Sequence, residues 1–279
     1  MVYLQNCSKL SFNCMLFVGV GIVLSSRLVR AVIMQIRLTL EYDGTDFKGW
    51  QIQPDQRTVQ GELQARLEQL YGAPISVTAS GRTDAGVHAL GQVVNFAPTR
   101  DISLDHLQHA LNGMLPPDVA VKRADYVGLD FHARFDAQCR HYFYCIRYNK
   151  RPIGRHYAWY IRRKLDLNVI KQASKILIGR HDFTSFCVAA NEKENRVCQV
   201  YTCDWQRQGD GLTFHISGDR FLRAMVRSIV GTLVEMGRGA RPAESMHDIL
   251  GARNRQSAGE SAPAQGLFLE RVIYDDELP

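Results

Sequence analysis

The chain has no C-x-x-C pair and no paired Cys…His spacing of the zinc type, and its 7 cysteines are an odd number. Neither a disulfide framework nor a structural zinc site is therefore written into it. Cys187, Cys198 and Cys203, in or beside strand-like text, read as reduced thiols of a reducing compartment, which places the protein in the cytoplasm. A G-x-S-x-G elbow is also missing, so nothing supports Ser–His–Asp catalysis. Gly81 and Gly86 have the G-x-x-x-x-G spacing of a phosphate loop. Val87 and His88, however, stand where a lysine and a Ser/Thr would hold phosphate and magnesium, which argues against a nucleotide hydrolase. His106 and His109 lie one helical turn apart, and His132, Cys139 and His141 cluster in sequence, but neither group finds a convincing further ligand. No metal and no cofactor are expected.

Nor is there an apolar run of about 20 residues, the length a membrane-spanning helix needs. The apolar stretch Met15–Leu24 is too short for that and fits a signal peptide better in length, but only Lys9 precedes it as a basic residue. Clean strand alternation starts at Met34. Residues 1–33 are therefore read as a non-native leader or a start-site artefact, and no membrane partner is expected.

What is present is globular. Of the 279 residues 46% are hydrophobic and 22% charged, enough for a sizeable core, and the formal charge of +6 leans towards a polyanionic partner. Ile36, Leu38, Leu40 and Tyr42 alternate with Arg37, Thr39 and Glu41 as a half-buried strand. Thr58 is placed to cap a helix carrying Val59, Leu63, Leu67 and Leu70. Ile75, Val77 and Ala79 suggest a second strand, leading to a buried-looking strand over Gln92–Phe96. A helix is predicted over Leu104–Leu115, stopped by Pro116 and Pro117, and then a strand over Val119–Val127. Beyond it come the alternating "HYFYCIRYN", a helix over Asn168–Ile178, and strands Val197–Trp205 and Leu212–Ser217 paired across "RQGDG". Asp219 is a candidate cap for a long helix reaching Met236, and a last strand runs over Leu267–Tyr274. The phenylalanines of "HDFTSF" read as packing, and "ARNRQSAGESAPAQG" as a surface loop. Interleaved elements with short turns give an α+β class, with two strand-and-helix halves, 34–137 and 138–279, meeting near Asp136–Arg140.

One acid stands out. Asp84 lies between Gly81 and Gly86 in "SGRTDAGVHALGQVVNF", where a turn residue accepting backbone N–H bonds is the simpler reading. An acid used as a nucleophile must stay ionised where water is excluded, which a guanidinium favours. Arg82 is near in sequence and Arg227 is a candidate from a distance. Basic and aromatic residues are mixed from Arg140 to Lys164, including Tyr142, Arg147, Arg151, Tyr157, Tyr160 and Arg162. Cations for phosphates beside rings for unpaired bases fit nucleic acid, and a solvated basic strand pair fits as well.

The blocks "EYDGTDFKGWQ", "GRTDAGVHALGQVVNF", "FHARFDAQCRHYFY", "HDFTSF", "MVRSIVGTLVEMGRG" and "GLFLERV" occur in that order between Met34 and Tyr274. Together they resemble the tRNA pseudouridine synthase A family. The resemblance implies isomerisation of uridine to pseudouridine in the anticodon stem-loop of tRNA, at tRNA positions 38 to 40. It implies Asp84 as nucleophile, Tyr142 as the active-site tyrosine, Arg227 as the partner of the aspartate, and Arg82 as an aid to the flipped nucleotide. The implied fold is the pseudouridine synthase fold, two α+β halves with antiparallel sheet around a central basic cleft, usually as a homodimer. His141 and Phe143 depart from the family, which often has arginine there. Open alternatives are a non-catalytic tRNA-binding or folding module, a membrane-anchored protein, and a pseudouridine synthase acting on another RNA.

Overall fold

The computed structural model describes residues 34–188 and 195–275. The run Met15–Leu24 lies outside them. Among the described residues no helix is long and apolar enough to cross a membrane.

The class is α+β, organised on one ten-stranded, mostly antiparallel sheet. Its strands are β1 (Met34–Tyr42), β2 (Thr78–Ala79), β3 (His88–Phe96), β4 (Val119–Gly128), β5 (Cys139–Arg147), β6 (Trp159–Tyr160), β7 (Gly179–Asp182), β8 (Val197–Gln208), β9 (Gly211–Gly218) and β10 (Leu267–Ile273). The spatial order is β4-β1-β3-β10-β5-β9-β8-β7, with β2 on β3 and β6 on β5. The last strand thus sits in the middle. It pairs parallel with β3 through Phe268↔His88 and Leu269↔Ala89, and antiparallel with β5 from Leu267↔Tyr144 to Ile273↔Cys139.

Five helices accompany it: α1 (Val59–Tyr71), α2 (Leu104–Met114), α3 (Leu167–Ile176), α4 (Met225–Gly237) and α5 (Ser245–Ala252). Thr58 caps α1 as its position suggests, its side chain accepting from the Gly61 N–H. The buried stripe of α1 ends on Tyr71 rather than Leu70, completing the i, i+4 row from Val59.

Apolar side chains gather into two cores. One joins Ile36, Leu38, Phe47, Trp50, Leu63, Leu67, Phe96 and Leu111 with Leu269 and Val272 of β10. The other joins Tyr144, Phe183, Phe186, Trp205, Phe214, Ile229 and Leu233 with Leu267 of the same strand. Both phenylalanines of "HDFTSF" are therefore core, and Cys187, Cys198 and Cys203 are buried cysteines. Tyr142 packs against both cores, so it marks their junction.

Three local expectations change. Ile75 and Val77 are buried, but only Thr78 and Ala79 pair with β3. Asp219 does not cap α4, which begins at Met225. Its Oδ1 accepts instead from Gln199 N and Arg220 N, fastening β8, and the chain turns through Ala224 at φ 58 before the helix starts. The "ARNRQSAGESAPAQG" segment is not a solvated loop. Ala258 and Ala262 are buried in the second core, and Gly259 N donates to the Thr232 hydroxyl of α4 at 2.9 Å. Its small residues let it lie as a strap directly on the helix.

Candidate active site

The loop from Ser80 to Val87, leading into β3, is held at nearly every residue. The Ser80 hydroxyl donates to Gln92 Oε1 at 2.7 Å, and Gln92 Nε2 donates to the Gly81 carbonyl at 2.9 Å. Tyr42 and Thr83 share a hydroxyl–hydroxyl bond of 2.8 Å, and Trp50 N donates to the Thr83 carbonyl at 3.0 Å. Val87 N closes the turn on the Asp84 carbonyl at 3.2 Å. Gly49 lets the neighbouring chain approach this closely: its φ is +96, and a Cβ would come within 2.9 Å of the Thr83 oxygen. Gln92 is fully buried in the middle of β3, where an apolar residue would ordinarily sit, because it holds this loop.

Asp84 therefore projects from a rigid turn. Among the described residues its carboxylate does not take the backbone N–H bonds of an ordinary turn aspartate. Its Oδ2 accepts from Arg227 Nη1 at 3.0 Å, with the two side chains 28% and 21% exposed. Arg227 is on α4, in the other core, and is itself anchored. Its Nε donates to the Ala262 carbonyl at 2.8 Å, and its carbonyl accepts from Ala262 N at 2.9 Å. The strap thus fixes the arginine that fixes the aspartate.

Tyr142, on β5, stands close enough to feel that carboxylate. Burial pushes its phenol up to about 12, with Arg140 opposing and Asp84 reinforcing the shift. Its ring meets Phe221 edge-on, centroids 5.3 Å apart. Arg82 stands apart from the pair: it is exposed and has no hydrogen bond or ion pair among the described residues.

Arg140, read from sequence as one of a basic series, is buried. Nη2 donates to the carbonyls of Ser80 at 2.9 Å and Arg134 at 2.6 Å; Nη1 donates to Ala137 at 3.0 Å and to Asp219. One guanidinium joins the Asp84 loop, the 134–137 turn and the start of the 219–224 turn. Sequence could not reveal this, since all the acceptors are backbone oxygens. Other members of that series, Lys150, Arg151, Arg155, Arg162, Arg163 and Lys164, are exposed near exposed Tyr157 and Tyr160.

The arrangement offers a carboxyl paired with an anchored guanidinium, and an aromatic ring, at the junction of two cores. The family model described as tRNA pseudouridine synthase matches residues 39–136 and 173–275, a span that includes Asp84 and Arg227. The chain belongs to the tRNA pseudouridine synthase family. Among its relatives in this family, it is 46% identical over 242 residues to the tRNA pseudouridine synthase A of Brevibacillus brevis, covering 86% of this chain and 99% of that one. To the protein of the same name from Bacillus subtilis it is 43% identical over 247 residues, covering 87% and 100%. A fainter likeness, to the crystal structure of a Cbf5-Nop10-Gar1 complex, has 12% identity, covers 85% of this chain and 59% of that one, and has a TM-score of 0.35, too low to add to the family assignment.

Proposed function

We propose that the protein isomerises uridine to pseudouridine in tRNA, with Asp84 as the nucleophile. The observation that carries this is the ion pair from Arg227 Nη1 to Asp84 Oδ2, set beside Tyr142 where the two cores meet. Family membership and the names of the relatives support tRNA as the substrate. The anticodon stem-loop, at tRNA positions 38 to 40, is the site this reading assigns, and a homodimer in the cytoplasm the form in which the protein works.

The reaction breaks the bond between ribose C1′ and uracil N1, turns the base, and joins C1′ to C5. The hydrogen on C5 leaves as a proton and N1 gains one, so no electrons are exchanged with a partner. A uridine in a stem is inaccessible and must be extruded at a cost of a few kcal/mol. Asp84 serves by attack on C1′, by attack on C6, or as a base towards a glycal. Arg227 fixes the carboxylate's direction, and Tyr142 offers its ring face to the uracil and its hydroxyl for proton transfer. Arg82, which is exposed, would assist extrusion. The two units 34–137 and 138–279 would each supply part of the site: Asp84 from the first, Tyr142 and Arg227 from the second.

The test is tritium release from tRNA carrying 5-tritiated uridine, with the parent chain and Asp84→Asn compared. Release by the parent alone supports both reaction and nucleophile. Binding of tRNA by both with release by neither makes this a binding or folding module. Release by both keeps the reaction and removes Asp84 from its role.

A further inference from the structure

The turn from His132 to Ala137 is built like a mount. His132 N donates to Asp136 Oδ2 at 2.8 Å, and Arg134 N and Phe135 N both face His132 Nδ1, at 3.2 and 3.3 Å. Ala133, wholly buried, receives the Tyr274 hydroxyl on its carbonyl at 2.7 Å and gives its N–H to Asn95 Oδ1 at 2.8 Å. Arg140 holds the carbonyls of Arg134 and Ala137. Yet the side chain this anchoring presents is a phenylalanine, Phe135, left 73% exposed.

An isolated exposed apolar residue is by itself ordinary. Here the backbone is pinned on both sides, and the ring is further set by His132, whose imidazole lies 4.2 Å away centroid to centroid at 32°. The Arg134 guanidinium stands 5.7 Å from the Phe135 ring, and Arg134 is itself exposed. The turn is also tied to the Asp84 loop. The Arg140 nitrogen that holds Arg134 also holds Ser80, the first residue of the Asp84 loop, whose exposed Arg82 follows two residues later.

We propose that Phe135 is a stacking platform for an unpaired base of the RNA, beside the uridine drawn to Asp84, with Arg134 and Arg82 meeting the phosphates on either side. This rests on the function proposed above. A rigid ring with a cation beside it fits a nucleotide, whose base has an apolar face and whose backbone is anionic. A second copy of this chain would instead favour an apolar patch with few charges at its centre. Extruding one base leaves its neighbour's face uncovered, and a ring fixed in advance covers it without an ordering cost.

The test uses an anticodon stem-loop with 2-aminopurine next to the target uridine, and Phe135→Ala, Phe135→Leu and Phe135→Trp beside the parent. Binding to the parent and the Trp variant is expected to quench the fluorophore, and binding to Ala and Leu variants to leave it bright. KM for tRNA is expected to rise about tenfold for Ala and Leu, the range of one base–aromatic stack, with kcat within about threefold. The thermal midpoint should not move, since the side chain is exposed. A Leu variant that behaves as the parent, or quenching that survives Phe135→Ala, overturns the platform. Loss of self-association in Phe135→Ala, measured by sedimentation, also overturns it in favour of a contact between copies. Quenching by a parent that releases no tritium would keep the platform and remove the isomerase reading. Tritium release without quenching would do the reverse.

Discussion

Arg227 reaches Asp84 across 143 residues of chain, at 3.0 Å, and does so while its own Nε is bound to the Ala262 carbonyl. The aspartate is aimed by a cation that has little freedom of its own. Arg227→Lys keeps the charge but loses the fork that satisfies both acceptors. It is expected to lower kcat about 100-fold, the cost of a small misplacement of a reacting group, with KM for tRNA nearly unchanged. Single-turnover tritium release separates the two. A rise in KM alone would make Arg227 a binding residue.

Tyr142→Phe keeps the ring and removes the hydroxyl. If the phenol moves a proton, kcat drops about 100-fold while tRNA binding holds. Burial places the phenol at about 12, so it remains neutral at working pH, and kcat should show no descending limb from this group between pH 7 and 10. An unchanged kcat in the Phe variant would assign Tyr142 its ring face only.

His88 follows the Asp84 loop and is almost wholly buried. Its Nδ1 lies 3.0 Å from both the Gly44 N–H and Asp43 Oδ1, and its Nε2 faces the His156 carbonyl at 2.9 Å. Burial holds its pKa below the ordinary 6.5, against the pull of Asp43. The folded state thus binds the proton less readily than the unfolded one. Stability supplied by neutral His88 is complete above 6.5 and lost as pH falls below that value. His141, also held low by burial, acts in the same direction. Urea unfolding at pH 8, 7, 6 and 5 should show a falling midpoint below 7, and His88→Gln a shallower fall. A parent midpoint that is flat from pH 8 to 5 would contradict it.

Gly231 lies on α4 under the strap, where a Cβ would overlap the Glu260 carbonyl oxygen. Alanine gains up to about 1 kcal/mol of helix propensity, but overpacking against backbone costs about 1–3 kcal/mol. The overlap is with backbone that cannot rotate away, so the cost wins. Gly231→Ala should lower stability by about 1–2 kcal/mol in chemical denaturation. It should also lower kcat, because the strap carries the Ala262 oxygen that holds Arg227. A stable variant with reduced kcat would still link strap to site; full activity and stability would not.

Much of this fold could be read locally. The alternation of β1, the Thr58 cap, and the hairpin of β8 and β9 closing at Gln208↔Gly211 all depend on neighbours in sequence. Asp219 misled because its cap-like position is local, whereas the Gln199 N–H that claims its carboxylate comes from 20 residues earlier. The strap misled because small polar residues suit both a solvated loop and a close approach to a helix. Arg140 was invisible among other basic residues, since carbonyl acceptors leave no mark in sequence. Asp84 and Arg227 were candidates on local grounds and Tyr142 took its role from the family's motifs, whereas the contact between the acid and the distant arginine is a matter of geometry. Gln92 could have been noticed as a polar residue amid the apolar text of β3.

The position of β10 has a consequence for how the protein comes into being on the ribosome. In the described sheet the strands β4-β1-β3 and β5-β9-β8-β7 meet only through β10, whose residues are the last of the ladder to be synthesised. A nascent chain that has released everything up to the strap can form each strand group, but the two remain unjoined along the sheet. The carboxylate and its guanidinium then lack the continuous sheet that joins their two strand groups. The growing chain therefore completes the sheet that frames the site only once β10 has been made, and RNA in the vicinity of the ribosome meets the finished frame only afterwards.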